Sequence, residues 1–246
     1  MRSWKTKNGY KVSQVLSGRS NSYFISTERL NILVDTGKES AYNKLRKNID
    51  LLELTNHKIA LLILTHTHFD HCQNAYKIKR NENCKIAMGK NEKESVEKGY
   101  TVLPKGTSLV LRLISDFGNW IGQRRFGYHK FIPDILVNEE FNLVDYDLKI
   151  KLINTKGHSS ASISIIVDNE IAIVGDTMFG VYKNSIFPPY SDNIQEMIKS
   201  WGRLLATDCG TFLPGHGKEV KRELLQKEYN KYAQKHNLAC CPASKH

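Results

Sequence analysis

The stretch IALLILTHTHFDH, residues 59–71, decides the fold. Its first half, Ile59–Leu64, is a continuous apolar run, which is typical of a strand buried on both faces. Its second half, Thr65–His71, places three histidines and an aspartate directly after that strand. In an extended loop, residues two apart point to the same side, so His66 and His68 are expected to converge. Such a cluster is costly to bury without a cation and therefore predicts a metal site for zinc, iron or manganese.

Three further candidate ligands each follow an apolar run later in the chain: His158, Asp176 and His216. Each has a glycine directly before it, and glycine allows the backbone to approach a site closely. The ends of strands are where α/β sheets build their sites. We therefore expect these residues to join the histidine-rich stretch at one edge of the sheet.

Short β-rich runs alternate with helical patterns along the whole chain, and no linker or internal repeat divides it. Strands are predicted at Tyr10–Leu16, Tyr23–Ser26, Leu30–Val34, Ile59–Leu64, Cys84–Met88, Leu148–Ile153, Ser162–Val167 and Ile171–Val174. Helices are predicted at Glu39–Leu52, His71–Lys79, Glu92–Lys98, Ile194–Leu205 and Lys218–His236. This mixture favours a layered α/β or α+β fold, and the 246 residues are expected to form one domain, 1–246.

Composition and charge limit the classes of function. Apolar residues make up 40% of the chain and charged residues 25%, which excludes collagen-like, coiled-coil and disordered descriptions of the whole chain. The net charge of +11 favours anionic partners such as nucleic acid, a membrane surface or acidic small molecules. The lysines are scattered, so nucleic acid is open as a partner but not favoured.

Cysteine usage and hydropathy bear on the compartment. The five cysteines lack the spacing of a disulfide framework, which fits a reducing compartment: Cys72, Cys84, Cys209, Cys240 and Cys241. The N-terminus has no signal-peptide pattern, and no apolar run reaches the ~18 residues of a transmembrane helix. We therefore expect a cytoplasmic protein without a transmembrane segment.

Five short motifs follow one another along the chain: LVDTG at 33–37, THTHFDH at 65–71, GHSSAS at 157–162, VGDTMF at 174–179 and LPGHG at 213–217. Their order resembles the metallo-β-lactamase-fold hydrolase superfamily. The resemblance spans Asp35 to His216 and implies an αββα sandwich with a two-metal site on one edge. Asp176 stands where some zinc β-lactamases have a cysteine, so the glyoxalase II and lactonase-like branch is favoured over true β-lactamases.

The resemblance also implies a role for each candidate residue. It assigns six ligands to two metal ions, namely His66, His68 and His158 to the first, and Asp70, His71 and His216 to the second. Asp176 would bridge both ions, and Asp35 would steady the metal-binding loop by hydrogen bonds. The implied cofactors are two Zn²⁺ ions, with iron or manganese as alternatives.

Residues 101–134 are expected to form an insertion between the second and third motifs. Apolar residues recur at spacings of three and four over residues 109–121, which predicts an amphipathic helix. Three roles are open for its apolar face. It could be a lid or wall that accepts an acyl chain, or it could pack on the core or on a second subunit of a homodimer. It could also bind a membrane surface, which Arg124, Arg125 and Lys130 would favour.

The implied reaction is attack by a hydroxide that bridges the two ions, with Asp70 and Asp176 orienting it or relaying its proton. We expect cleavage of an ester, thioester or lactone in a small-molecule acyl substrate. Two alternatives stay open. One is a phosphodiesterase or nuclease on the same dinuclear site, and the other is a mononuclear iron enzyme similar to the persulfide dioxygenases. The intact ligand set disfavours a non-catalytic binding module.

Overall fold

The computed structural model describes residues 1–54 and 56–238, and Cys240 and Cys241 lie outside this part. The strands are β1 Ser3–Lys5, β2 Lys11–Leu16, β3 Ser22–Ser26, β4 Asn31–Val34, β5 Ile59–Leu64, β6 Lys85–Gly89, β7 Ile135–Val137, β8 Glu140–Asn142, β9 Ile150–Asn154, β10 Ile163–Val167, β11 Ile171–Gly175, β12 Thr211–Pro214 and β13 Val220–Lys221. The α-helices are α1 Tyr42–Asp50, α2 Phe69–Cys72, α3 Ala75–Glu82, α4 Lys93–Lys98, α5 Leu109–Phe126, α6 Ile194–Leu205 and α7 Arg222–Lys235.

The strands form two sheets. Seven strands pair in chain order from β1 to β7, and six pair in the order β13-β12-β11-β10-β9-β8. Strands β4 to β7 run parallel to one another, and β12 runs parallel to β11. Because parallel neighbours end at the same edge, the loops that follow β4 and β5 lie side by side, as do those that follow β11 and β12.

The two sheets pack face to face. One apolar cluster joins inward side chains of both sheets, such as Ile32 and Leu61 from the first and Ile165 and Ile173 from the second. The outer face of the first sheet packs against α1, α3 and α4, and that of the second packs against α6 and α7. The layers are therefore helix, sheet, sheet and helix, which confirms the predicted αββα sandwich.

Strand β5 shows why the central run is apolar on both sides. Leu61 and Ile63 face the second sheet, whereas Leu62 and Leu64 face the helices. Both faces are buried, so the strand needs no polar side chain. Its predicted bounds, Ile59–Leu64, are those of the structure.

Helix α5 departs from the expectation of a helix whose apolar face packs on the core. Its buried residues are the small ones, Ser115, Gly118 and Gly122. The large apolar residues between Leu109 and Trp120 are mostly exposed. The core-packing alternative is therefore wrong for this segment. The small residues allow a close approach to the neighbouring loop, since a Cβ at Gly118 would lie 2.7 Å from Leu103 Cδ1 and would require that side chain to shift.

In the part of the chain that the structure describes, no helix combines the length and apolar character needed to cross a membrane.

Candidate metal centre

The candidate ligands lie in loops that follow strands of both sheets. His66 and His68 come after β5, and Asp70 and His71 belong to the short helix α2 that continues the same loop. The second sheet contributes the other three after β9, β11 and β12: His158, Asp176 and His216. All seven therefore meet at one edge of the sandwich.

The side chains form overlapping groups whose donor atoms lie within 4.8 Å of one another: His66, His68 and His158; His66, His71 and Asp176; and Asp70, His71 and His216. Asp176 lies between the two ends of the cluster. One of its oxygens is 3.4 Å from His71 Nε2. Its other oxygen is 3.1 Å from His216 Nε2 and 3.7 Å from His158 Nε2.

The chemistry of this cluster fits metal ions. His66 Nε2 and Asp176 Oδ1 are buried, yet neither has a hydrogen-bond partner among the described residues. His158 Nε2 and His68 Nδ1 are 3.1 Å apart, so two ring nitrogens face each other in a buried site. Buried polar atoms without partners are costly. A divalent cation among these atoms would satisfy them, because imidazole and carboxylate are the usual ligands of zinc, iron and manganese.

Asp35 lies behind the cluster and holds two parts of it together. Its carboxylate is buried and accepts hydrogen bonds from Thr65 N and Thr65 Oγ1, both at 2.8 Å. It also pairs with His71 Nδ1 at 2.9 Å. This last contact orients the His71 ring so that Nε2 points into the cluster, the role that a carboxylate partner plays for ligating histidines.

The glycine before His216 is required by the crowding of the cluster. A Cβ at Gly215 would lie 2.1 Å from Asp176 Oδ1 and 2.7 Å from His71 Cε1. Any other residue would therefore displace one of these side chains. The LPGHG motif thus supplies both a candidate ligand and the space beside it.

Burial and neighbouring charges shift the pKa values of the cluster histidines in two directions. Burial lowers the pKa of His66 and His68 well below the usual value, and neighbouring imidazoles lower each pKa further. Burial also disfavours charge on His71, but the carboxylates of Asp176 and Asp35 outweigh it and raise its pKa to about 10. The pKa of His216 is raised in the same way, since Asp176 outweighs burial. His71 is therefore protonated at neutral pH in the metal-free cluster, and the pKa of His216 is shifted in the same direction.

We expect metal binding at neutral pH to release protons. A ligating imidazole must be neutral, and His71 keeps its proton up to its pKa of about 10. Affinity should therefore rise with pH up to that value and weaken as the pH falls, by about tenfold per pH unit for each proton displaced. Calorimetry of Zn²⁺ binding in buffers of different ionisation enthalpy measures the number of protons directly.

The control for this measurement is Asp35→Asn. Loss of the carboxylate that supports the His71 charge lowers the pKa of the imidazole, so fewer protons should be released. Binding without proton release at pH 7.5 would contradict the assignment of His71 as a ligand.

Glu92, directly before α4, is a site residue that the sequence did not reveal. Its Oε2 accepts hydrogen bonds from Thr67 N at 2.7 Å and from Thr67 Oγ1 at 2.6 Å. Burial raises the pKa of this carboxyl group. Thr67 stands between His66 and His68, so Glu92 fixes the backbone that presents both rings. It lies in a charged run of surface-helix type, and no local signal distinguishes it.

A cavity of about 470 Å³ opens onto the cluster. Its wall is largely apolar and comes from three regions: Leu103, Ile114 and Phe126 from around α5, Phe179 after β11, and Pro188 and Pro189 before α6. Arg19 supplies the one arginine or lysine among the described residues that line it. Arg19 Nε lies 3.9 Å from Asp70 Oδ2 at the mouth.

Helix α5 is tied firmly to this wall. Ser115 Oγ donates a hydrogen bond to the carbonyl of Pro104 at 2.6 Å. The side chain of Asn119 accepts from Leu103 N at 2.7 Å and donates to its carbonyl at 3.1 Å. The same loop is bonded to the region after the prolines, because Ser191 N donates to the carbonyl of Lys105 at 2.8 Å. In that region the carbonyl of Tyr190 accepts a hydrogen bond from His158 Nδ1 at 2.9 Å. Helix α5 and the loop before it, which belong to the predicted insertion at residues 101–134, therefore form part of the wall of the cavity.

Sequence comparisons agree with this geometry. The sequence profile of the metallo-beta-lactamase superfamily matches residues 17–216. A probable metallo-hydrolase from Methanocaldococcus jannaschii is 32% identical over 213 residues, which cover 85% of this chain and 90% of that protein. Glyoxylase B2 from Dictyostelium discoideum is 27% identical over 118 residues, which cover 48% of this chain and 35% of that protein.

Solved structures share the fold. A metallo-beta-lactamase superfamily protein from Sulfolobus tokodaii superimposes with a TM-score of 0.62 at 18% identity, covering 96% of this chain and 91% of the other. A subclass B3 metallo-beta-lactamase from Bradyrhizobium japonicum gives a TM-score of 0.64 at 17% identity, covering 96% and 92%. At these identities the likeness concerns the fold alone.

Proposed function

This chain belongs to the metallo-beta-lactamase superfamily, and from that premise we propose that it hydrolyses an ester, thioester or lactone in a small-molecule acyl substrate. The observation that carries the proposal is the apolar cavity that opens directly onto the histidine and aspartate cluster. An acyl group would lie against the apolar wall, and its carbonyl carbon would then face the cluster. Substrate pockets commonly combine such a wall with a few convergent polar groups.

The proposed cofactors are two divalent cations, with zinc favoured and iron or manganese as alternatives. His66, His68 and His158 would hold one ion, Asp70, His71 and His216 would hold the other, and Asp176 would contact both. Such cations, when bound, lower the pKa of a coordinated water to about 7 and polarise a carbonyl oxygen.

The protein's own groups would hold and orient the reactants. Asp70 Oδ2 lines the cavity 3.8 Å from His216 Nε2, where it would accept a proton from the attacking water. The ring of Phe179 packs 4.8 Å from that of His216. Together with the α5 wall it would keep bulk water from the reacting carbonyl and so strengthen the electrostatic interactions there.

The cavity lining bears on the alternative of a nuclease. Phosphate-backbone binding relies on several lysine and arginine contacts, and among the described lining residues Arg19 is the one such side chain. The mononuclear iron alternative requires one iron ion per chain instead of two zinc ions. Elemental analysis of the purified protein distinguishes the two.

The test is a substrate panel with the zinc-loaded protein. It contains a glutathione thioester, an acyl lactone, a series of aryl esters of increasing acyl length and an aryl phosphodiester. We expect turnover of the carbonyl substrates, with kcat/KM rising about fourfold per added methylene, since each buried CH₂ contributes ~0.8 kcal/mol. The rise should stop when the cavity is full.

Leu103→Ala should reduce the gain per methylene because Leu103 lines the cavity. Val102→Ala is the matched control, since Val102 is its exposed neighbour and does not line the cavity. Turnover of the phosphodiester alone would overturn the proposal in favour of the nuclease. If kcat/KM did not change with acyl length, the proposal that the cavity binds the acyl group would be overturned.

A further inference from the structure

The outward side of α5 carries a stripe of exposed apolar residues. Its six members are each between 53% and 80% exposed: Leu109, Val110, Leu113, Ile114, Phe117 and Trp120. Their spacing places them along one side of about three helical turns. The rings of Phe117 and Trp120 pack on each other with centroids 5.7 Å apart. Contiguous exposed apolar patches of this kind mark interaction surfaces.

The stripe does not face the core of the protein. The opposite side of the helix buries Ser115, Gly118 and Gly122. The hydrogen bonds of Ser115 and Asn119 to the loop of residues 103–104 hold this side in place. Rotation of the helix to bury the stripe would break these bonds and bring bulky side chains against Leu103. The orientation of α5 is therefore fixed, and the apolar stripe stays on the protein surface.

The surroundings of the stripe are basic. Residues 105–130 contain five basic residues and one acidic residue, Asp116, and all six are exposed. Arg124, Arg125 and Lys130 make no ion pair within the described part of the chain. These three charges lie at or just beyond the C-terminal end of the stripe and are available to an anionic partner.

We propose that α5 docks the protein on an anionic lipid membrane, with the stripe at the boundary between headgroups and acyl chains. Arg124, Arg125 and Lys130 would contact the lipid phosphates. An apolar face with exposed Trp and Phe beside basic residues is the pattern of helices that lie in the membrane interface. A second copy of this chain fits less well, because pairing stripe to stripe would bring together two surfaces that each carry five basic residues and one acidic residue, Asp116.

This docking goes beyond the proposed hydrolysis and does not depend on it. It has a geometric consequence, because Ile114 belongs to the stripe and also lines the cavity. The bilayer would therefore lie beside the wall of the site, and the mouth of the cavity would be within reach of molecules dissolved in the membrane.

The test is flotation of the full chain with vesicles, without substrate. Vesicles of phosphatidylcholine with about 30% phosphatidylserine are compared with phosphatidylcholine alone. We expect binding to the anionic vesicles, weakened by high salt. Trp120 is 80% exposed whereas Trp201 is fully buried, so insertion should shift the tryptophan emission to shorter wavelength.

Two double variants test the two parts of the surface. Phe117→Ser with Trp120→Ser should weaken vesicle binding at least about tenfold, because two aromatic side chains no longer insert. Arg124→Glu with Arg125→Glu should weaken binding to the anionic vesicles by about tenfold or more. Leu51→Ser with Val144→Ser is the matched control, since both residues are similarly exposed elsewhere, and it should bind like the native protein.

Three results would overturn the proposal. The first is no flotation with anionic vesicles, and the second is an equal loss in the Leu51 and Val144 control. The third is a dimer in sedimentation velocity that the Phe117 and Trp120 variant dissociates, which would make a second copy the occupant of the stripe. Because no step uses turnover, these outcomes are independent of the substrate panel.

Discussion

Asp176→Asn is expected to lower kcat/KM for the best ester of the panel by at least about 10³-fold, or ~4 kcal/mol of transition-state stabilisation. The carboxylate is within 3.7 Å of ring nitrogens of His71, His158 and His216. These nitrogens hold its pKa well below the usual range in spite of burial. Asparagine keeps the shape of the side chain but removes the charge that would contact both cations.

Three measurements make this result interpretable. Elemental analysis should show a loss of bound metal, and steady-state kinetics should show a loss in kcat. Thermal unfolding of the metal-free variant should still be cooperative but at a lower Tm than that of the native protein, because His71 and His216 lose a carboxylate partner. His68→Ala should give a similar loss of turnover through the other end of the cluster.

The matched control is Asp192→Asn. The backbone N–H of Asp192 donates to the carbonyl of His158, and its carboxylate accepts a hydrogen bond from Lys105 N. Among the described residues, Asp192 belongs to none of the groups that could hold a metal ion. Activity should stay within about threefold of native, as for most substitutions away from a reacting centre. Retained activity in both Asp176→Asn and His68→Ala would defeat the proposed mechanism.

Asp35→Asn is expected to weaken metal binding about 10- to 100-fold and to destabilise the metal-free protein by about 3 kcal/mol. The buried carboxylate accepts from Thr65 N, Thr65 Oγ1 and His71 Nδ1. Asparagine cannot satisfy all three donors and removes one of the two carboxylates that stabilise the charged His71. Titration with a chelating indicator measures the affinity, and urea unfolding measures the stability.

Asparagine is preferred to alanine here because of the backbone. Asp35 has a φ of +58°, a left-handed conformation that Asn tolerates much better than Ala. The variant therefore reports on the carboxylate rather than on backbone strain. Asp147→Asn is the matched control, since Asp147 also has a positive φ but its side chain is exposed and pairs with Arg29 at the surface. The control should change stability by no more than about 1 kcal/mol, and an equal effect of both variants would show that Asp35 has no special role.

Local sequence predicted most of the regular elements. The strand Ile59–Leu64 and the helix Ile194–Leu205 have the predicted bounds. In both cases a strong apolar pattern coincides with burial. Strands β7, β8 and β12 were not predicted, because runs of three or four residues carry too little periodicity.

The candidate ligands and the supporting residue Asp35 were also accessible from the sequence, but two further residues of the site were not. Each predicted ligand follows an apolar run, and strand ends in parallel pairs are neighbours in space. Glu92 and Arg19 became visible through tertiary contacts alone. Glu92 meets Thr67 across 25 residues, and Arg19 reaches the cavity from the turn between β2 and β3.

The sequence by itself determined the layered fold, the motif series and the set of candidate ligands, because these depend on local apolar periodicity and on short spacings. Tertiary structure alone decided which side of α5 is buried. The periodic apolar residues left open whether the apolar face meets a substrate, the core, a second subunit or a membrane. In the structure, hydrogen bonds of Ser115 and Asn119 to residues 103–104 hold the small-residue side of the helix inward. The apolar stripe therefore faces outward, and Ile114 and Gly118 lie at the wall of the cavity.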